Sequence, residues 1–264
     1  MKLSISNIAW SKGYDEEMYS YLKSNGIEGI EIAPTRIFEN NPYNELIKAD
    51  EYYQYINEKY CLEVSSIQSI WFGKSQNMFD SEEERMELLD YTKRAIEFAS
   101  EIKCNNLVFG CPKNRNVNNE SCDIEEIALE FFRELGSYAI EKGTVLAIEP
   151  NPSIYGTNFI NSTEEAFDIV KKINNKGILV NVDLGTIINN EESLDILTEN
   201  IHLINHIHIS EPYLEKIQKR DIHKQLARIL KDNLYDKYVS IEMKNLNDLD
   251  RVKETLSYII GIFK

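Results

Sequence analysis

The stretch GILVNVD at 177–183, a run of apolar and β-branched residues that ends on an acid, carries the pattern from which the fold can be predicted. A short apolar run behind a glycine is typical of a strand that is buried in a parallel sheet. Seven further runs of this kind are LSIS (3–6), IEGIEIA (27–33), LEVSSIQ (62–68), NNLVFG (105–110), TVLAIE (144–149), LINHIHIS (203–210) and YVSIEM (238–243). The sequence therefore predicts eight strands.

Amphipathic stretches separate these strands, for example 81–102 and 123–143, where apolar residues recur three and four positions apart. Strands that alternate with helices favour a closed parallel barrel over an open doubly wound sheet. With 264 residues, the chain has the usual length of a single (β/α)8 TIM barrel, and we predict one domain over 1–264. No GxGxxG or GxxxxGK[ST] motif follows the first strand, so dinucleotide and P-loop sites are not supported.

Composition narrows the class of partner. The formal net charge of −15 arises from 29 basic and 44 acidic residues, and such a surface repels nucleic acid. No stretch is long and apolar enough for a membrane span, and the opening MKLSISNIAW does not read as a secretory leader, so a cytoplasmic protein is expected. Cys61, Cys104, Cys111 and Cys122 lack CxxC spacing and are expected to be reduced thiols.

Four side chains that bind metals well stand at the ends of four predicted strands: Glu149, Asp183, His208 and Glu242. The gaps of 34, 25 and 34 residues between them are those of repeating β/α units, so the four strand ends can converge at the mouth of a barrel. Three carboxylates and one imidazole suit a single Mn²⁺, Mg²⁺ or Co²⁺ ion, with Zn²⁺ as the alternative. The sequence therefore predicts a divalent metal site at strands 5 to 8.

The segments IEPNPSIYGTNFINSTEEA, VDLG, HIHISEP and VSIEM, in this order and spacing, resemble the xylose isomerase-like barrel family of sugar isomerases and epimerases. The likeness extends over essentially the whole chain and is greatest to members of the tagatose and psicose 3-epimerase type. It implies that Glu149, Asp183, His208 and Glu242 hold the metal and that the two glutamates are also the catalytic acid and base. It further implies a small sugar or sugar derivative as the partner, and dimers or tetramers, which are common in such barrels.

That chemistry is sound on general grounds. A metal on adjacent ketone and hydroxyl oxygens acidifies the C–H bond between them and stabilises an enediolate. Two glutamates can then move the proton, which gives epimerisation at one carbon or aldose–ketose isomerisation between neighbouring carbons. A metal-dependent lyase or dehydratase of the inosose type, a hydrolase and a non-catalytic binding protein remain alternatives on the same barrel.

Two positions depart from the epimerase pattern. Thr186 stands where family members often carry a histidine three residues after the metal-binding aspartate, and its hydroxyl would be a neutral substrate contact. Leu214 replaces the arginine that tagatose-type members place six residues after the metal-binding histidine.

Further substrate contacts are predicted in the loops that follow the strands. Gln68 and Asn151 would offer amides, Trp71 an apolar wall beside Phe72, and Glu31 either a substrate contact or a buried barrel carboxylate. Arg115 would recognise an anionic group, as would Lys113, Arg220 or His223 if they are not simply solvated. His208 is expected to point into the barrel and His206 to point outward.

Overall fold

The computed structural model describes residues 1–118 and 123–264, so Cys122, one of the four expected thiols, lies outside the described residues. Eight parallel strands pair in chain order, and the eighth closes onto the first. The strands are β1 Lys2–Ser6, β2 Gly29–Ile32, β3 Glu63–Ile67, β4 Leu107–Phe109, β5 Leu146–Ile148, β6 Ile178–Asp183, β7 Ile204–Ile209 and β8 Tyr238–Ile241. The predicted (β/α)8 TIM barrel is confirmed.

Helices connect successive strands and surround the barrel. They are α1 Asp15–Ser24, α2 Pro34–Ile37, α3 Leu46–Tyr60, α4 Glu82–Glu101, α5 Ile124–Glu141, α6 Thr163–Ile173, α7 Leu184–Asn190, α8 Asp195–Glu199, α9 Asp221–Asp232 and α10 Leu249–Phe263. The predicted helices at 81–102 and 123–143 correspond to α4 and α5 within two residues at each end. Ser81 and Ser162 cap α4 and α6, each accepting a hydrogen bond from the backbone N–H three residues later.

The connection between β6 and β7 differs from the other units. Its 25-residue spacing from Asp183 to His208 leaves too little chain for a long helix, and the short helices α7 and α8 take its place. Asp183 itself caps α7 by accepting a hydrogen bond from the Thr186 N–H at 2.8 Å. The strand end that carries Asp183 is therefore fixed by the helix that follows it.

The barrel interior is more polar than the apolar runs alone suggest. Residues that alternate along a strand face opposite sides, and here the outward set packs against the helices while the inward set is polar. In β8, Val239 and Ile241 belong to the hydrophobic core, whereas the Ser240 side chain is buried on the alternate face. The Ser4 and Ser65 hydroxyls, from β1 and β3, are hydrogen-bonded to each other at 2.5 Å.

Within the described residues, no helix is both long and apolar enough to cross a membrane.

Candidate metal centre

Four side chains from four successive strand ends meet at the carboxyl end of the barrel. Glu149 and Glu242 directly follow β5 and β8, Asp183 is the last residue of β6, and His208 lies near the end of β7. One ligand atom from each side chain lies within 4.8 Å of all the others. The four residues are almost fully buried, with relative exposures of 0% to 8%. The structure thus brings together the set that the sequence singled out.

Asp183 is held by hydrogen bonds on both carboxylate oxygens. Its Oδ2 accepts from the Thr186 N–H at 2.8 Å and from the Thr186 hydroxyl, which also lies 2.9 Å from the Pro150 carbonyl. Its Oδ1 accepts from the Ser210 hydroxyl, which in turn accepts from the Gly185 N–H. A side chain at Gly185 would collide with Ser210, because an added Cβ would come within 2.8 Å of its hydroxyl oxygen.

This network revises the role of Thr186. The residue is fully buried and its hydroxyl is occupied by Asp183 and Pro150, so it is not placed to contact a substrate. The prediction of a substrate contact is wrong, because the capping geometry of α7 turns the hydroxyl back onto the carboxylate that precedes it. Thr186 orients Asp183 instead.

Glu149 is oriented by two amides. Asn181, which lies two residues before Asp183 on the same face of β6, donates to Glu149 Oε1 at 2.7 Å. Asn151 donates to Glu149 Oε2 at 3.2 Å, so this predicted substrate contact belongs to the support of the carboxylate. Gly110 leaves room for Glu149, because an added Cβ there would lie 2.6 Å from Oε2.

Asn181 and Ser210 support the cluster but were not predicted from the sequence. Each stands two positions from a predicted ligand, Asn181 within β6 and Ser210 just beyond the end of β7, and a period of two places such residues on the same face. That spacing is the signal that would have found them.

The His208 ring is held between two sets of carboxylates. Its Nδ1 lies 2.8 Å from Glu149 and 3.2 Å from Glu242, while its Nε2 lies 2.7 Å from Glu31 Oε2 on the far side. A ring whose Nε2–H donates to a buried carboxylate keeps its Nδ1 lone pair for a metal, which is the usual arrangement of a metal-binding histidine.

Glu31 is therefore an interior carboxylate and not a residue of the mouth. It is fully buried, it also lies 3.3 Å from His206 Nε2, and Gln68 donates to its other oxygen at 3.1 Å. Of the two interpretations offered by the sequence, the structure matches the buried barrel carboxylate. Gln68 is likewise occupied, since its amide also donates to the Ser6 hydroxyl and accepts from Ser69.

The expectation for His206 is wrong. His206 and His208 both point into the barrel, with ring centroids 5.3 Å apart and both rings reaching Glu31. Residues separated by two positions in a strand share a face, so the two histidines could not be divided between inside and outside.

Burial and like charges shift the pKa values of the cluster. Burial, followed by the charge of Glu149, raises the pKa of Asp183 to about 6, although Ser210 and Thr186 act against this. Burial raises the pKa of Glu242 to about 7, against the opposing effect of His208. Without a cation, these carboxyl groups hold protons more tightly than exposed ones.

The pKa values of Glu31 and His208 shift in the opposite sense to what burial alone would give. Burial alone would raise the pKa of Glu31 and lower that of His208. The attraction between the two groups, together with His206 beside Glu31 and the Glu242 and Glu149 carboxylates beside His208, outweighs burial. The pKa of Glu31 therefore falls well below its usual range and the pKa of His208 rises well above it.

Arg115 is not a surface anion receptor. Its side chain is fully buried, and its Nη2 donates to Asn151 Oδ1 at 3.0 Å and to the Ile160 carbonyl at 3.3 Å. Its Nε and Nη1 have no hydrogen-bond partner among the described residues. Burial lowers the pKa of the guanidinium to about 10. Through Asn151, Arg115 is linked to Glu149, so the predicted contact with an anionic substrate is replaced by a supporting one.

Trp71 does not line the mouth, and that prediction is wrong. The ring is 2% exposed, its Nε1 donates to Thr92 of α4 at 2.8 Å, and it packs edge-to-face on Phe109 and Phe131. Its neighbour Phe72, in the loop after β3, is instead 69% exposed. The aromatic surface available at the mouth in this loop is therefore that of Phe72.

The remaining cationic candidates are placed elsewhere. Arg220 forms a double hydrogen bond with the buried Glu211, at 2.8 and 2.7 Å, so its charge is already paired. His223 is buried against the Tyr258 hydroxyl at 3.0 Å, and burial lowers its pKa to about 4. Lys113 is exposed.

Comparisons with known proteins agree with this architecture. The family model of the xylose isomerase-like TIM barrel matches residues 19–261. Among solved structures, 3-keto-D-glucoside 4-epimerase from E. coli superposes with a TM-score of 0.80 at 21% identity, covering 99% of both chains. D-Psicose 3-epimerase from Clostridium cellulolyticum H10, solved with D-tagatose, gives 0.79 at 14% identity over 100% of both chains.

The IOLI protein, solved with a bound zinc atom, gives a TM-score of 0.75 at 16% identity over 100% of this chain and 99% of that one. Identities this low establish a shared fold and no more. Among curated protein sequences, none matches this chain significantly. The family model nevertheless extends over most of the barrel, from α1 to α10. The chain belongs to the xylose isomerase-like TIM barrel family.

Proposed function

We propose that this protein is a divalent-metal-dependent isomerase or epimerase that acts on a keto-sugar or sugar derivative. The observation that supports it most is the convergence of Glu149, Asp183, His208 and Glu242 within 4.8 Å at the mouth of the barrel. The sugar epimerases among the structural neighbours, one of them solved with D-tagatose, support a neutral sugar as the partner.

The donor set fits a metal ion. Burial and, after it, the negative charge of Glu149 raise the pKa values of Asp183 and Glu242, and a divalent cation bound there would offset both effects. The ions that we propose are Mn²⁺, Mg²⁺ or Co²⁺, with Zn²⁺ as the alternative. A divalent ion held there would polarise the adjacent ketone and hydroxyl oxygens of the sugar and make the C–H bond between them more acidic.

The protein supplies the groups that move the proton. Glu149 and Glu242 approach the same His208 nitrogen from β5 and β8, so two carboxylates from different strands border one site. In our proposal one of them removes the proton from the sugar carbon and the other returns a proton. Return to the opposite face of that carbon inverts it, whereas return to the neighbouring carbon interconverts ketose and aldose.

The supporting residues hold these carboxylates in place. Asn181 and Asn151 bind the two oxygens of Glu149, which leaves its remaining lone pairs for the ligand or the proton. Burial of the cluster excludes bulk water, which would otherwise compete for the reactive proton.

Proton exchange with solvent tests the proposal. Metal-loaded protein is incubated in D₂O with a panel of ketoses that includes phosphorylated and acidic sugars, and deuterium at carbon is followed by NMR. We expect incorporation with at least one sugar and its loss in Glu149→Gln and Glu242→Gln. Glu63→Gln, which removes a strand carboxylate bonded to Lys2 and Tyr238, serves as the matched control. Absence of exchange with every sugar, or full activity of either cluster variant, would contradict the scheme.

A cytoplasmic location stays a prediction.

A further inference from the structure

A cavity lies among the loops at the mouth of the barrel, next to chain segments that belong to the proposed metal centre. Its volume is about 690 Å³, which is within the range of ligand pockets. Its walls come from the loops after β1, β2, β3 and β8, and include Trp10, Thr35, Asn41, Phe72, Lys74 and Asn245. The four proposed ligands, by contrast, come from β5 to β8.

The cavity and the proposed metal centre take residues from neighbouring positions of the same chain segments. Asn245 of the cavity stands three residues after Glu242, in the loop that follows β8. Ser69, which also lines the cavity, donates to Gln68, whose amide donates to the buried Glu31. None of the four proposed metal ligands lines the cavity, so it would receive a part of the ligand that does not react.

The walls combine an aromatic face with unused polar groups. The Phe72 ring is 69% exposed at the rim, and an aromatic face packs well against the C–H face of a sugar ring. The side chains of Thr35, Asn40 and Asn41 make no hydrogen bond to the described residues, so their hydroxyl and amides are available to sugar hydroxyls.

The charges at the cavity favour a neutral ligand. The Arg36 guanidinium is paired with Asp15 at 2.6 Å. The Lys74 ammonium lies over the Tyr91 ring, 3.9 Å from its centroid, and the cavity lining also includes the opposite charge of Glu39. Three carboxylates of the adjoining cluster would repel a phosphate or carboxylate on the ligand.

We propose that this cavity binds a neutral glycosyl substituent, so that the preferred substrate is a keto-glycoside of two sugar units rather than a free ketohexose. This inference rests on the proposed function, because the reacting unit is taken to sit at the metal cluster. Phe72 supplies the stacking face for the second unit.

Kinetics with two substrates test the inference. The metal-loaded protein is assayed with D-psicose and with the 3-keto derivative of a glucose disaccharide. We expect the disaccharide derivative to have the higher kcat/KM. Phe72→Ala should lower the ratio of kcat/KM for the disaccharide derivative to kcat/KM for D-psicose about fivefold to tenfold, mainly by raising KM for the disaccharide derivative. Phe72→Tyr should restore the ratio, and Ile140→Ala, an exposed apolar residue on α5, should leave it unchanged. Equal losses on both substrates, or preference for D-psicose, would overturn the subsite.

A binding experiment separates this inference from the proposed reaction. Absence of exchange with every sugar of the panel would contradict the proposed function, whereas the binding of cellobiose, measured by saturation-transfer NMR, tests the cavity without any turnover. Weaker binding in Phe72→Ala than in Ile140→Ala would support the subsite. No binding, binding equal in the two variants, or stronger binding of a phosphorylated disaccharide that depends on Lys74 would overturn it.

Discussion

Replacing Glu31 by Gln should weaken metal binding although the residue is not among the proposed ligands. Glu31 Oε2 accepts from His208 at 2.7 Å and faces His206 at 3.3 Å, while Oε1 accepts from Gln68 at 3.1 Å. An amide has a single acceptor oxygen, so either the histidines or Gln68 must lose a partner. Loss of such a support for a metal-binding histidine lowers metal affinity by about 10- to 100-fold, or roughly 1.4 to 2.7 kcal/mol.

Metal-stripped protein titrated with Mn²⁺ or Zn²⁺ in competition with a chelating dye gives the affinity. Circular dichroism on the same samples shows whether the variant is folded. Glu63→Gln removes a carboxylate that binds Lys2 at 3.1 Å, away from the cluster, and should bind metal as the wild type does. A folded Glu31→Gln protein whose affinity lies within about twofold of the wild type would refute the role of Glu31 in holding His208.

Three further predictions concern the cluster and its surroundings. The pKa values of Asp183 and Glu242 are raised to about 6 and about 7, so a metal ion must displace protons from these groups at low pH. Metal affinity should therefore rise between pH 5.5 and 8, and binding should release protons, which calorimetry in two buffers measures. Arg115→Met removes a buried guanidinium whose Nε and Nη1 have no hydrogen-bond partner among the described residues, and it should change the free energy of unfolding by about 1 kcal/mol or less. The substitution also frees Asn151 and should lower kcat about tenfold, so an unchanged kcat would contradict the link between Arg115 and Glu149. Trp71→Ala should lower the free energy of unfolding by about 3 to 5 kcal/mol, measured by urea titration, without changing metal affinity. A large loss of metal affinity in the folded variant would instead show that the ring supports the site.

Local sequence determined the strands and the residues at their ends. A strand in a (β/α)8 barrel must present a buried apolar run, and its last residues must reach the mouth, so Glu149, Asp183, His208 and Glu242 could be selected from pattern and chemistry together. Local sequence also accounts for the Ser162 cap of α6 and for Gly143 just beyond α5, whose φ of 74° suits glycine.

The direction in which each loop side chain points was harder to predict from the sequence. Trp71 was predicted from its distance to the strand end, but the turn after β3 directs its ring toward Thr92. Thr186 and Arg115 have the right chemistry for a substrate contact, yet both are fully buried and bind protein groups. A loop residue's partners depend on backbone angles that composition does not specify.

Contacts across the barrel were decided by the tertiary structure alone. Glu31 and His208 are 177 positions apart, and only closure of the sheet brings β2 and β7 close enough for a 2.7 Å contact through the interior. Sequence periodicity can state which face of a strand a residue occupies, because that is a property of the backbone of one strand. Which residue it meets on that face depends on barrel closure and register, since these place distant strands around a common interior.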